Sequence, residues 1–241
     1  MLTATEFSVG LWNGMPLATA DVRTSPLWVD GKKVFQVDVE ARTQKGPDFV
    51  WRMRDSIQSV FEAGTFWPKQ FVFRQRENSR TTDTNALYNQ TEKKWTVARL
   101  RGKEISRFEI DSGDTLDSIT ATYLVRSLDL KVGDQLRFYA FGGKNRYLVT
   151  LDVVALERVT TKVGTFDAYR MAARMQNLTN SRHADRMRRA TVWISADYRR
   201  LPLKLQSQSF FGSVYLELVK EEVSSHSASL QNPVAEPAWK N

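Results

Sequence analysis

Apolar residues recur at every second position in one run after another, and that period restricts the fold more than any other feature of the chain. Phe35, Val37, Val39 and Ala41 alternate with Gln36, Asp38 and Glu40. Phe71 and Phe73 alternate with Val72, Arg74 and Arg76, and Tyr147, Val149, Leu151 and Val153 continue the pattern. Leu201, Leu203 and Leu205 stand against Lys204 and Gln206, and Val214, Leu216 and Leu218 form a last run. A longer segment puts Phe49, Trp51, Met53, Ile57 and Phe61 on one face, with Arg52, Arg54, Ser56 and Gln58 on the other. Successive side chains of a strand point to opposite faces, so a period of two is the signature of a half-buried strand. Turn-forming pairs separate the runs: Asp30-Gly31, Gly46-Pro47, Gly142-Gly143 and Val163-Gly164. One polar face per strand predicts an antiparallel sheet wetted on one side. The expected fold class is all-β, a single continuous and strongly curved antiparallel sheet.

One segment departs from this period. Leu116, Ile119, Tyr123, Leu124 and Leu128 fall at helical spacing, which predicts one amphipathic helix near Leu116–Leu128 that buries its face against the sheet. Asp114 is expected as its N-cap, with Asp117 three residues on as a weaker capping-box partner. After Val223 the chain turns to Ser, Ala, Asn and Pro without periodicity. Residues 1–222 are therefore expected to form a single domain, and 223–241 a disordered tail. With 241 residues, such a domain buries roughly 70–75% of its unfolded surface and needs no disulfide or metal to hold a core.

Composition narrows the chemistry by exclusion. With no cysteine, disulfide scaffolds, thiolate zinc sites, iron–sulfur clusters and cysteine nucleophiles are ruled out. The two histidines, His183 and His226, are too few for an imidazole cage. Asp111, Asp114 and Asp117 lack the calcium-loop frame and read better as helix-capping residues. Gly142-Gly143-Lys144 lacks the full phosphate-loop frame and reads as a hairpin turn. His183, with Ser181 and Asp185 nearby, sits in a polar stretch with no apolar flanks to exclude water. No nucleophile–base–orienter set is visible, so the expectation is a non-enzyme without metal or cofactor.

Charge is the skewed quantity. Lys+Arg 35 against Asp+Glu 27 gives +8, and the segment from Arg170 to Arg200 holds eight arginines and two acids, a net of +6. Arg182, Arg186, Arg188 and Arg189 form a candidate anion-receiving lip, because guanidinium forks fit phosphate and carboxylate. The plainer reading of the same residues is a solvated face that maintains solubility. Trp193 follows the basic cluster instead of being interleaved with it, which argues against nucleic acid. No apolar run is long enough to span a membrane, and Met1 to Glu6 shows no basic-then-apolar leader. Seven Trp, seven Tyr and 13 Phe exceed what one sheet with one helix readily covers, so an apolar cavity is expected. Trp51, Met53, Phe71, Phe73, Tyr123, Leu124 and Trp193 are the candidates for its lining.

Three blocks carry a resemblance. They are Ala121-Thr-Tyr-Leu-Val-Arg126 with Gly133 after it, Gly164-Thr-Phe-Asp-Ala-Tyr-Arg170, and Val192-Trp-Ile-Ser-Ala-Asp-Tyr-Arg-Arg-Leu-Pro-Leu-Lys204 followed by Phe211-Gly-Ser-Val-Tyr-Leu-Glu-Leu218. The chain resembles the bacterial family called domain of unknown function 3108 over roughly residues 5–222. The resemblance implies an exported, periplasmic protein of a Gram-negative envelope whose signal peptide has been removed. It also implies a curved sheet around a helix, similar to the half-barrels of periplasmic lipoprotein carriers. It carries no catalytic residues. The expected function is a periplasmic binding or chaperone-like module holding a lipid-like or amphipathic ligand in its concave face. The alternative is a structural interaction module that meets an anionic envelope partner through its arginines.

Overall fold

The computed structural model describes residues 2–11, 15–111, 113–179, 188–209 and 212–224. Among these, the first half of the chain contributes β1 (Leu2–Leu11), β2 (Pro16–Val29), β3 (Lys32–Thr43), β4 (Arg54–Glu62), β5 (Pro68–Glu77), β6 (Arg80–Asn89), β7 (Lys94–Arg101) and β8 (Glu104–Asp111). A short β9 (Thr115–Asp117) leads into α1 (Ser118–Ser127). The rest is β10 (Gln135–Phe141), β11 (Arg146–Thr161), β12 (Gly164–Asn177), β13 (Arg188–Ser195), β14 (Pro202–Ser209) and β15 (Gly212–Ser224). All fifteen strands join one sheet in the order β8-β7-β6-β5-β4-β3-β2-β1-β15-β14-β13-β12-β11-β10-β9. The expected single all-β sheet with one main helix is what forms. β8 and β9 are its two edges and do not pair with each other, so the sheet is not closed into a barrel. Every ladder is antiparallel except β9 with β10.

Local chemistry sets most of the connections. Asp30 and Gly31 both take positive φ (50° and 73°) between β2 and β3, the geometry that a tight hairpin requires. Pro202, which has no N–H to give a ladder, is the first residue of β14. Asp197 accepts from the Arg199 N–H at 3.2 Å and the Ser195 hydroxyl at 2.8 Å, fixing the turn between β13 and β14.

Three expectations require correction. The strand expected from Phe49 begins only at Arg54, because Pro47 opens a 3-10 turn over Pro47–Phe49 and Asp48 is held by Arg54 at 2.5 Å. The helix is shorter than expected and is capped by Asp117, not Asp114. Thr115 to Asp117 pair with Tyr139 to Phe141, and the Asp117 carboxylate accepts from the N–H groups of Ile119 and Thr120, both at 3.0 Å. Burial of Asp117 pushes its carboxyl pKa up, against the pull of donors on Thr120, Ser59 and Ile119. Finally, β15 runs to Ser224, two residues into the expected tail, and residues 225–241 lie outside the described residues.

An open sheet can bury its inner face only by curling on itself. Phe141 on β10 packs its ring 5.6 Å from both Phe71 on β5 and Trp95 on β7. Trp95 Nε1 donates to the Thr115 carbonyl of β9 at 2.8 Å. The β9–β10 edge thus lies over the inner face of β5–β7. α1 braces the concavity: Tyr123 packs 5.3 Å from Phe61 and its hydroxyl bonds Thr24, while Arg126 donates to the Arg200 carbonyl at 2.8 Å. On β11 the register slips between Val153 and Ala155. Met171 and Ala173 therefore face the cluster under α1, whereas Ala168 and Val159 join Phe7, Leu203 and Leu218 in a second cluster.

The clamp predicts a graded mutational response. Phe141→Ala should lower stability by about 3–5 kcal/mol, because its fully buried ring joins the two ends of the sheet. Leu124→Ala should cost less than that, since Val125, not Leu124, is the deeply buried aliphatic residue of this turn. Denaturant midpoints of the two variants check the order.

Candidate functional site

A cavity of about 590 Å³ lies between the β4–β5 connection, α1, β10 and the start of β11. Phe66 and Trp67 of the connection, Leu116, Leu124 of α1, Phe138 and Tyr139 of β10, and Leu148 of β11 supply its apolar wall. Thr65, Asp114 and Arg137 supply its polar groups. The connection is held by Phe66 N donating to the Glu62 carbonyl at 3.1 Å and Glu62 N donating to the Trp67 carbonyl at 2.9 Å. Phe66 sits at φ +56°, a left-handed conformation that costs an L residue roughly 1–2 kcal/mol. In return its ring stacks 6.0 Å from Phe61 and reaches the cavity. Trp67 stacks 5.9 Å from Tyr88, which packs 5.2 Å from Trp95 and donates its hydroxyl to the Gly113 carbonyl at 2.8 Å. Burial, aided by the nearby Asp114 carboxylate, pushes the Tyr88 phenol up, so it stays a neutral donor.

The surrounding charges are arranged in pairs. Glu62 is buried, with Lys32 at 3.1 Å, Lys69 at 3.3 Å and the Thr65 hydroxyl at 3.2 Å. Burial alone would raise its pKa, but the two ammonium groups outweigh burial and hold the carboxyl below its ordinary value. The Arg146 guanidinium lies 4.0 Å from the Tyr139 ring centroid, and its Nε donates to the Thr115 hydroxyl at 3.0 Å. Among the described residues, no group of three His, Cys, Asp or Glu side chains is placed to hold a metal ion. The arrangement is an open cleft whose apolar wall is interrupted by the polar groups of Thr65, Asp114 and Arg137.

Of the residues expected to line a cavity, Leu124 lines this one and the other six lie elsewhere. Phe71 is fully buried in the clamp with Phe141, and Phe73 packs at the edge of that cluster. Tyr123 is engaged by Phe61, by Thr24 and by the Arg126 guanidinium 4.7 Å from its ring. Trp193 donates its Nε1 to Glu157 at 2.7 Å and packs against the second cluster. Met53 forms an isolated bridge with Glu77, and Trp51 is exposed on the β3–β4 connection. Phe66, Trp67, Phe138 and Leu148 were missed. The pair Phe66-Trp67 between Gly64 and Pro68 was the available signal, since two adjacent aromatics cannot share one face of a strand.

The arginine segment is only partly described. Arg182 and Arg186 lie outside the described residues, as does His183, while Arg188 begins β13 opposite Met175. Arg189 is exposed and pairs with Arg174 across the ladder. Neighbouring arginines are committed to acids: Arg174 to Asp152 at 2.6 Å, Arg170 to Glu157 at 3.2 Å, and Arg199 to Asp197 at 2.6 Å and Glu221 at 2.8 Å.

Glu62→Gln should lower stability by about 1–3 kcal/mol near neutral pH, because a buried, doubly ion-paired carboxylate is lost. A lowered folded pKa means that this contribution is full above the ordinary value of 4.5 and is lost as pH falls through the folded value. The gap between wild type and variant should accordingly close below pH 4.5 in denaturation curves taken across pH.

Among solved structures, the chain is similar to a β-barrel-like protein of the family DUF1849 from Brucella abortus. The TM-score is 0.63 at 10% identity, covering 93% of this chain and 98% of that one, which shows a shared fold. Weaker likenesses reach a candidate lipoprotein from Parabacteroides distasonis (TM-score 0.43, 9% identity, 91% and 94% covered) and a candidate exported protein from Bacteroides fragilis (TM-score 0.42, 10% identity, 92% and 95% covered). Comparison with curated proteins finds no match. A family model matches residues 6–219, nearly the whole sheet, and the chain belongs to the protein family of unknown function DUF3108.

Proposed function

We propose that this protein is a non-catalytic binding module of the bacterial envelope that takes an apolar or amphipathic ligand into the cavity beside α1. The observation that carries the reading is the cavity wall itself. Its volume of about 590 Å³ falls within the roughly 300–1,000 Å³ of ordinary ligand sites. Part of that wall depends on Phe66, a bulky residue held at positive φ; such strain persists only where surrounding structure enforces it, and it concentrates at functional sites. Arg137 is the one cation and Asp114 the one acid of the lining, so an anionic end of a ligand would meet Arg137. The envelope location rests on what the family resemblance implies, export to a Gram-negative envelope.

A fluorescent fatty acid should bind saturably to the purified protein, and organic extraction followed by mass spectrometry should recover a co-purified lipid-like compound. Leu124→Trp fills the cavity and should weaken binding by at least about tenfold, while Arg137→Gln should cost about tenfold for the fatty acid but little for a neutral analogue. A clean extract together with no saturable binding of either probe would overturn the proposal.

A further inference from the structure

The β3–β4 connection exposes three consecutive large apolar side chains: Phe49 is 95% exposed, Val50 89% and Trp51 39%. Phe49 and Val50 have almost no neighbours, so this segment projects from the fold. Its backbone nevertheless is fixed. Asp48 N donates to the Gln44 carbonyl at 3.0 Å, Phe49 N to Gly46 at 3.3 Å, and Val50 N and Trp51 N to Pro47 at 3.0 and 2.9 Å. Arg52 exchanges bonds with Asn78 of the β5–β6 turn: its N–H donates to Asn78 Oδ1 at 2.9 Å, and Asn78 N donates to its carbonyl at 2.8 Å. The Asp48 carboxylate accepts from both terminal nitrogens of Arg54, at 2.9 and 2.5 Å, and from the Thr43 hydroxyl. The tip therefore offers side chains and few unpaired amides, and its order does not await a partner.

The charge beside it is net positive. Between Gln44 and Arg54 there are three cations, Lys45, Arg52 and Arg54, against the single acid Asp48. Asp48 is neutralised by Arg54, leaving Lys45 and Arg52 exposed at the base of the apolar tip. On the adjoining turn Arg80 is exposed, and Glu77 stands opposite it in the ladder. From this geometry we infer that the Phe49-Val50-Trp51 tip inserts into the interfacial layer of an anionic lipid bilayer, with Lys45 and Arg52 against its head groups. An aromatic and aliphatic tip partitions into that layer, and flanking cations are drawn to anionic lipid. A projecting turn with satisfied amides suits a soft surface better than a flat protein partner. β4 separates this tip from the cavity connection by nine residues, roughly 30 Å of strand, so docking is independent of ligand binding.

The test uses the whole chain in sedimentation with sucrose-loaded vesicles of phosphatidylcholine alone or mixed with phosphatidylglycerol, at low and moderate salt. Wild type should bind the mixed vesicles, more weakly as salt rises, with a blue shift of tryptophan emission that disappears in Trp51→Phe. Phe49→Ser with Trp51→Ser should weaken binding by at least about tenfold, and Lys45→Gln with Arg52→Gln should weaken it and flatten the salt dependence. Both double variants should melt as wild type does; a lowered midpoint would mean that the tip packs within the fold and would overturn the inference. So would absence of vesicle binding, binding indifferent to the Phe49 and Trp51 changes, or a solution dimer that those changes dissolve. The cavity variant Leu124→Trp should bind vesicles as wild type does, which separates this result from the fate of the ligand proposal.

Discussion

The contact between Trp95 and the β9 edge is what allows so long an open sheet to exist as a folded object. Fifteen strands laid side by side would expose one apolar face along their whole width. The indole of Trp95 is fully buried, donates to the Thr115 carbonyl, and packs against Phe141 and Tyr88. Through that set of contacts the last-ordered edge lies across the face of β5–β7, and the inner surface becomes a core without an edge-to-edge ladder. An unpaired carbonyl at that buried point would cost about 1–3 kcal/mol, so the indole N–H serves packing and polar satisfaction together.

The remaining devices follow from that curl. α1 is too short, at ten residues, to cover the concavity by itself, so it acts as a brace tied at both ends. Asp117 and Ser59 hold its start near β4, and Arg126 reaches the carbonyls of Arg199 and Arg200 at its end. The slip at Val153 lets the β11–β12 hairpin bury one face against the helix cluster and then the other against β1, β14 and β15. The cavity beside Trp67 and Phe138 is part of what the brace and the clamp leave unfilled.

On the proposed reading, function divides between the two ends of the strands. The cavity is built where β4 passes to β5, under the strain of Phe66 and with Glu62 anchoring two lysines. The apolar tip is built where β3 passes to β4, with Asp48 and Arg54 as its internal tie. If both proposals hold, the two events stay energetically separate, because β4 between the cavity and the tip is paired along its length with β3 and β5.

The fold class was legible in the sequence because a half-buried strand records its own geometry: Val149, Leu151 and Val153 alternate with Thr150 and Asp152 whatever they finally touch. Asp30-Gly31 and Pro202 were likewise readable, since positive φ and a missing N–H are properties of the residue itself. The single helix was visible in its spacing, but its cap was misplaced by three residues, because only pairing with β10 decides that Thr115 to Asp117 are strand. Phe71 and Trp193 could not be told from cavity residues by type, for burial in a core and exposure to a cavity call for the same apolar side chains. Phe49 and Trp51 have strand spacing, yet Pro47 and the Asp48–Arg54 pair turn them outward. By itself the sequence determined period, turns and charge, which are local. Tertiary structure alone decided which aromatics meet across the curl and which are left facing a cavity or solvent, because those outcomes depend on strands brought together from distant parts of the chain.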